Sequence, residues 1–369
     1  MEMNERLTHG GNVYAAAREL RRSPGSILDF SASINPLGPS PKAIRALREA
    51  SALIHHYPDP DCVNLKRALG RRWNLSPDQF VVGNGATELI DLIPRALSIR
   101  SALIVGPTYG EYARAVSRAG GRNNLVLAKK EEDFRPPLKR VTQTVTARRS
   151  ARSAFDAVFV CHPNSPTGQP CALDDLNALF RATDRAGVWV ILDESFVEYC
   201  HALTCVPQLP SFPRLIILRS FTKFYGLPGL RVGYSVSSRP IAALLKQSQP
   251  PWSVNAMAQV AAEAAMSDQG HARRCLAYVK KERERLIRQL STMSGLTVFS
   301  SSANFLLLEL PRSSRTREFA AALRRQGMLI RDCSSVEGCN QRSFRIALRT
   351  KVENDRLVSS LGKLLRGVR

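Results

Sequence analysis

With 369 residues, 44% of them hydrophobic and 23% charged, the chain has a globular composition and the length for two domains sharing an interface. No run of about eighteen apolar residues is present to form a helical membrane span, and the opening Met1-Glu-Met-Asn-Glu-Arg6 lacks an apolar signal region, so a cytoplasmic protein is expected. The net charge of +22 is spread along the chain, with dense blocks only at 148–152 and 324–325 and no nucleic-acid-binding module, so no specific nucleic acid partner is expected and the excess is read as attraction for anionic small molecules.

Residues 1–40 read as an N-terminal arm. The turn Thr8-His9-Gly10-Gly11-Asn12 precedes a helical pattern at 13–22 and a strand-like run at 27–30, and the Asn-Pro and Gly punctuation of 31–38 marks an ordered loop. His9 beside two bare glycine amides offers donors to an anion. Ser40-Pro41 opens a helix to about residue 54, with a capping hydroxyl and Pro at the first position, and Tyr57-Pro58-Asp59-Pro60 breaks the chain before a helix at 62–73.

A strand at 80–82 then runs into Gly83-Asn84-Gly85-Ala86-Thr87-Glu88 and a helix at 87–97, an arrangement that points free N–H groups and a positive helix end at a phosphate. Strand and helix now alternate, the pattern of a parallel sheet covered on both faces. Strands are expected at 102–105, 124–128, 157–160, 188–192 and 215–218, with a helix at 173–186 that stops at Gly187. Residues 129–153 are polar and charged, and an exposed loop with at most one poorly packed helix is expected there. Beyond Pro250-Pro251-Trp252-Ser253, a helical pattern from 255 to 290 is interrupted near 268–270. Strands at 296–299, 304–310, 328–331 and 343–348, with helices at 315–326 and at the C-terminus, complete a smaller α+β unit.

The expected division is an arm (1–40), a large domain (41–255) and a small C-terminal domain (256–369). Eight scattered cysteines contain no CxxC pair, so free thiols are expected, with neither a disulfide framework nor a metal site.

The chemistry concentrates in Ser220-Phe221-Thr222-Lys223-Phe224-Tyr225-Gly226-Leu227-Pro228-Gly229-Leu230-Arg231, directly after the apolar run 215–218. A lysine at a strand end in a Gly/Pro-rich turn is poorly placed as a solvated charge. It suits Schiff-base chemistry once desolvation or a neighbouring cation such as Arg231 lowers its pKa. Ser220, Thr222 and Arg231 form a candidate anion cradle. Asp193, ending the buried run 188–192, requires a cationic partner.

These motifs resemble the fold-type I pyridoxal-phosphate family, the aminotransferase-like class. The resemblance implies an α/β fold, a large domain with a mostly parallel seven-stranded sheet plus a smaller α+β domain, and pyridoxal 5'-phosphate as cofactor. It implies Lys223 as the Schiff-base lysine, Asp193 on the ring nitrogen, Asn164 donating to the ring oxygen and Tyr109 on the ring face. Gly85, Ala86, Thr87, Ser220, Thr222 and Arg231 would hold the phosphate, and Tyr57 would reach the phosphate of a second subunit, so a homodimer is implied.

Within that class the segments 9–12, 28–38, 251–255 and 344–349 are similar to the threonine-phosphate decarboxylases, relatives of the histidinol-phosphate aminotransferases. Phe196 stands where the aminotransferases usually carry a tyrosine, and Arg349 where they favour glycine. The resemblance implies a phosphorylated amino acid substrate, with Arg331 and Arg345 on its anionic groups and His9, Gly10 and Asn35 closing the pocket. Decarboxylation of threonine phosphate in cobalamin biosynthesis is the reaction implied; the aminotransferase reaction is the nearest alternative.

Overall fold

The computed structural model of the chain describes residues 9–147 and 154–366. In chain order its strands are β1 (Leu28–Asp29), β2 (Phe80–Gly83), β3 (Ser101–Gly106), β4 (Arg122–Leu127), β5 (Ala157–Cys161), β6 (Trp189–Asp193), β7 (Leu215–Ser220), β8 (Gly233–Val236), β9 (Thr297–Val298), β10 (Phe305–Glu309), β11 (Met328–Leu329), β12 (Arg331–Asp332) and β13 (Ser343–Ala347). Its helices are α1 (Val13–Leu20), α2 (Pro41–Glu49), α3 (Val63–Trp73), α4 (Ala86–Ala96), α5 (Glu111–Arg118), α6 (Leu138–Thr146), α7 (Leu173–Ala186), α8 (Arg239–Ser248), α9 (Ala256–Ser267), α10 (Gln269–Ser291), α11 (Thr316–Arg325) and α12 (Lys351–Arg366). Local chemistry sets several limits. The Ser40 hydroxyl accepts the Ala43 N–H at 3.1 Å to start α2, and Gly187 ends α7 at φ 72°. Asp268 accepts the His271 N–H at 3.1 Å and divides α9 from α10.

The central sheet has seven strands in the order β2-β8-β7-β6-β5-β3-β4, and β8 alone runs against its neighbours. The sheet is thus mostly parallel, as expected, but β8 had no signal of its own because it follows a turn dense in Gly and Pro. Side-chain alternation assigns each strand residue to a layer. Val158 and Val160 of β5 pack with Leu176, Leu179 and Phe180 of α7, whereas Ala157, Phe159 and Cys161 join Tyr112 and Ala115 of α5. In β6, Ile191 lies in that same α5 layer, so Asp193, two residues on, emerges towards α5.

A second sheet, β12-β13-β10-β9, is antiparallel and packs on α10, α11 and α12 through Leu286, Leu290, Phe319, Leu323, Leu357 and Leu361. The strand expected at 328–331 is split between two partners. Met328 and Leu329 pair in parallel with Leu28 and Asp29 of the arm, while Arg331 lies opposite Arg345 in the second sheet. Past β1, the Ala347 N–H donates to the Phe30 carbonyl at 2.8 Å.

The segment after β4 differs from expectation. Leu138, Val141 and Val145 of α6 are buried against α7 and the sheet, and Phe134 packs edge-on to Phe299 at 5.0 Å. These apolar residues occur at near-helical spacing but are diluted by charge, which hid the periodicity; 148–153 lie outside the described residues. All eight cysteines are free. Among the described residues no His/Cys/Asp/Glu group fits a metal ion and no helix is long and apolar enough to cross a membrane. Because Leu138 is 1% exposed, Leu138→Ala should lower stability by about 2–5 kcal/mol in chemical denaturation; an exposed helix would give about 0.5 kcal/mol or less.

Candidate active site

The C-terminal ends of β3, β5, β6 and β7 open onto a cavity of about 980 Å³, where ligands bind in open α/β sheets. Its lining includes His9, Gly10, Ala86, Thr87, Tyr109, Asp193, Ser220, Thr222, Lys223, Arg231, Arg331 and Arg345, residues drawn from every region of the chain.

Lys223 lies just past β7. Burial first, then the positive charges of Arg345 and Arg231, push its ammonium pKa down from 10.5 to about 8. Its Nζ stands 5.8 Å from the Phe196 ring centroid and forms no ion pair among the described residues. A substantial neutral fraction near neutral pH makes this amine a nucleophile.

Asp193 is 5% exposed at the cavity floor. The Ser195 N–H donates to its Oδ1 at 2.8 Å and the Tyr112 hydroxyl to its Oδ2 at 2.6 Å. Neither partner carries charge, and among the described residues no Lys, Arg or His is in ion-pair contact with the carboxylate. Tyr112, fully buried against Phe159, is a functional neighbour that the sequence did not mark.

At the opposite end, Ser220 Oγ and Thr222 Oγ1 are 2.7 Å apart. Gly85 begins α4 at φ 78°, and a Cβ there would stand 2.4 Å from an Arg231 nitrogen. Glycine is therefore what lets the guanidinium lie over the helix N-terminus, beside the Ala86 and Thr87 amides. The Tyr109 hydroxyl bonds the Thr87 side chain, and its ring lies 5.6 Å from that of His9. His9 Nε2 in turn pairs with Glu111 at 2.9 Å.

Arg345 is half-buried and its guanidinium donates to Ser165 Oγ and to the Ser31 carbonyl, both at 2.9 Å. Nε has no partner, and the Phe305 ring centroid lies 4.9 Å from Cζ. Burial is the main cause lowering its pKa to about 10. Among the described residues neither Arg345 nor Arg331, its cross-strand neighbour, pairs with a carboxylate. Arg219 behind the cavity is the contrast: fully buried, it is held by Glu194 at 2.6 Å and Glu198 at 2.5 Å, which raise its pKa against the desolvation.

Four expected residues do not line this cavity. Gly85 sits behind Arg231. Asn164 directs its amide hydrogens to the Pro107 carbonyl and Thr167 Oγ1, each at 2.8 Å. Asn35 is committed to the Phe224 carbonyl at 2.7 Å and Cys275 Sγ at 3.0 Å. Tyr57 is 81% exposed beside Trp252. Outer lining from Arg114 and Arg118 was not anticipated, since both look like solvated positions on a helix.

Residues 26–361 match the aminotransferase class I and II family. The chain belongs to that family. It is 35% identical over 98% of its length to the threonine-phosphate decarboxylase of Salmonella typhimurium, covering 97% of that protein. It is 31% identical over 98% of its length to an adenosylcobalamin biosynthesis bifunctional protein, CobDQ, of Leptospira interrogans, covering 41% of it. The solved histidinol-phosphate aminotransferase of Sinorhizobium meliloti, in complex with pyridoxal-5'-phosphate, superposes with a TM-score of 0.87 at 25% identity, over 100% of this chain and 99% of that one. The fold is thus that of fold-type I, and the chain is a pyridoxal-phosphate-dependent enzyme.

The electrostatic arrangement has a pH signature. In cofactor-free protein, labelling of Lys223 by an amine-selective reagent should rise with pH through a midpoint near 8. Removing a neighbouring cation favours the ammonium, so Arg345→Met should move that midpoint upward while Arg345→Lys leaves it nearly in place. A midpoint above 10 in the wild-type chain would contradict the burial and charge argument.

Proposed function

We propose that this enzyme decarboxylates L-threonine O-3-phosphate to (R)-1-amino-2-propanol O-2-phosphate and CO2, in cobalamin biosynthesis. The observation carrying this reading is the adjacent Arg331 and Arg345 pair, lining the cavity with no carboxylate on either guanidinium. A half-buried basic pair with no carboxylate partner calls for an anionic substrate. The named function of the 35%-identical relative supplies the particular one.

Bound pyridoxal phosphate supplies an electron sink for the electrons left at Cα when one of its bonds breaks. In this reading Lys223 would hold the cofactor, and its Nζ, with a pKa lowered to about 8, would serve as the group that carries a proton at the site. Asp193 keeps the ring nitrogen protonated, with the Tyr112 and Ser195 donors fixing its two oxygens. Ser220, Thr222, Arg231 and the first amides of α4 hold the cofactor phosphate, and Tyr109 covers the ring. Arg331 and Arg345 would hold the substrate's anionic groups and so orient its Cα–carboxylate bond. Phe196, packed edge-on to Phe305 at 5.0 Å, gives an apolar wall beside Lys223 where a hydroxyl would otherwise reach the ring.

The likeness to the histidinol-phosphate aminotransferase structure supports one alternative, transamination of histidinol phosphate with 2-oxoglutarate, in which the same basic pair binds a different phosphate ester. We place the enzyme in the cytoplasm as a homodimer. The exposed Leu53, Ile54, Tyr57 and Trp252 are apolar surface of the kind that partners cover, and Tyr57 would then reach the other subunit's phosphate site.

Incubation of the cofactor-loaded protein with L-threonine O-3-phosphate and no keto acid should give steady CO2 and aminopropanol phosphate; turnover only with histidinol phosphate plus 2-oxoglutarate would establish the alternative. Lys223→Ala should abolish both turnover and the cofactor-linked absorbance. Asp193→Ala should lower kcat by roughly a hundredfold, the scale of losing one electrostatic partner in a dry site, and weaken cofactor retention.

A further inference from the structure

We propose that Asn35, on the arm, is a positioning residue that clamps the backbone carbonyls of Lys223 and Phe224 and thereby sets where the lysine amine stands. Its backbone N–H donates to the Lys223 carbonyl at 3.0 Å, and its Nδ2 donates to the next carbonyl, that of Phe224, at 2.7 Å. Two consecutive carbonyls are therefore held by one residue 188 positions earlier in the chain. Asn35 is itself fixed, since its Oδ1 accepts the Leu37 N–H at 3.0 Å and its carbonyl accepts the Gly38 N–H at 3.0 Å. Its second amide hydrogen reaches Cys275 Sγ on α10 at 3.0 Å. At 4% exposure and outside the cavity lining, the side chain has no free donor for a substrate.

A second observation points the same way. Gly226 closes the lysine turn, with its N–H on the Lys223 carbonyl at 3.3 Å, and sits at φ 68° directly against the arm. A Cβ there would come within 2.7 Å of the Gly38 carbonyl carbon. The lysine turn and the arm loop are thus packed backbone to backbone, and only glycine permits the approach.

The inference rests on Lys223 being the cofactor-bearing lysine, but not on which reaction follows. Its test is the rate at which apoprotein and pyridoxal phosphate form the imine at Lys223, the aldehyde carbon joining Nζ with loss of one water, followed by absorbance without substrate. A displacement of about 1 Å costs up to about a hundredfold in rate, so Asn35→Ala should slow imine formation by about tenfold or more. The KM for L-threonine O-3-phosphate should change by less than about threefold, because uniform substrate binding is untouched.

Gly226→Ala should slow imine formation likewise and reads the same clamp should Asn35→Ala not fold. Cys275→Ala, which removes only the α10 contact, should match wild type. Imine formation at the wild-type rate in both Asn35→Ala and Gly226→Ala would overturn the proposal, and so would a raised KM as the sole defect, or equal slowing in Cys275→Ala. Failure of the wild-type apoprotein to form any imine at Lys223 would instead remove the cofactor assignment beneath it.

Discussion

The interior of this site carries more positive charge than its surroundings neutralise. Lys223, Arg231, Arg331 and Arg345 converge on one cavity, and Asp193, one of the carboxylates lining it, takes hydrogen bonds from a phenol and a backbone amide. Burial first, and these neighbouring cations second, lower the pKa of Lys223, and burial above all lowers that of Arg345. The protein tolerates the imbalance by giving Arg345 a hydroxyl, a carbonyl and an aromatic face in place of a counter-ion. Arg219 shows what the same fold does with a buried arginine when balance is wanted: two glutamates are brought to it. The difference separates a guanidinium that holds strand ends together from one kept available for an anion.

Much of the arrangement was legible in the sequence because parallel strands place their C-terminal residues on one edge. Once 188–192 and 215–218 read as buried strands, Asp193 and Lys223 had to meet across neighbouring strand ends, and the Gly-rich turn at 83–88 had to join them. Spacing alone does not say which groups an amide bonds, however. Asn35 and Asn164 are in the expected loops, yet their hydrogens go to the carbonyls of Phe224 and Pro107, a choice fixed by loop packing across more than fifty residues of sequence in each case. Tyr112 reaches Asp193 because the pleat of β6 turns the carboxylate towards α5, a relation that appears only when helix and strand are docked. The helix α6 was missed for the opposite reason: its three buried side chains are regular, but the surrounding charges lowered the apparent hydrophobicity below that of a core helix.

The pairing of β1 with β11 also links the arm to the basic pair. Arg331 lies two residues beyond the end of β11, and Arg345 on the adjoining strand holds the Ser31 carbonyl two residues past β1. The Phe30 peptide is tied on one side to Leu329 and on the other to Ala347, each at 2.8 Å. The basic pair and segment 28–31 of the arm are consequently tied together through backbone hydrogen bonds and one guanidinium. A change that displaces either arginine is therefore felt by the arm as well, although the two lie some three hundred residues apart in sequence.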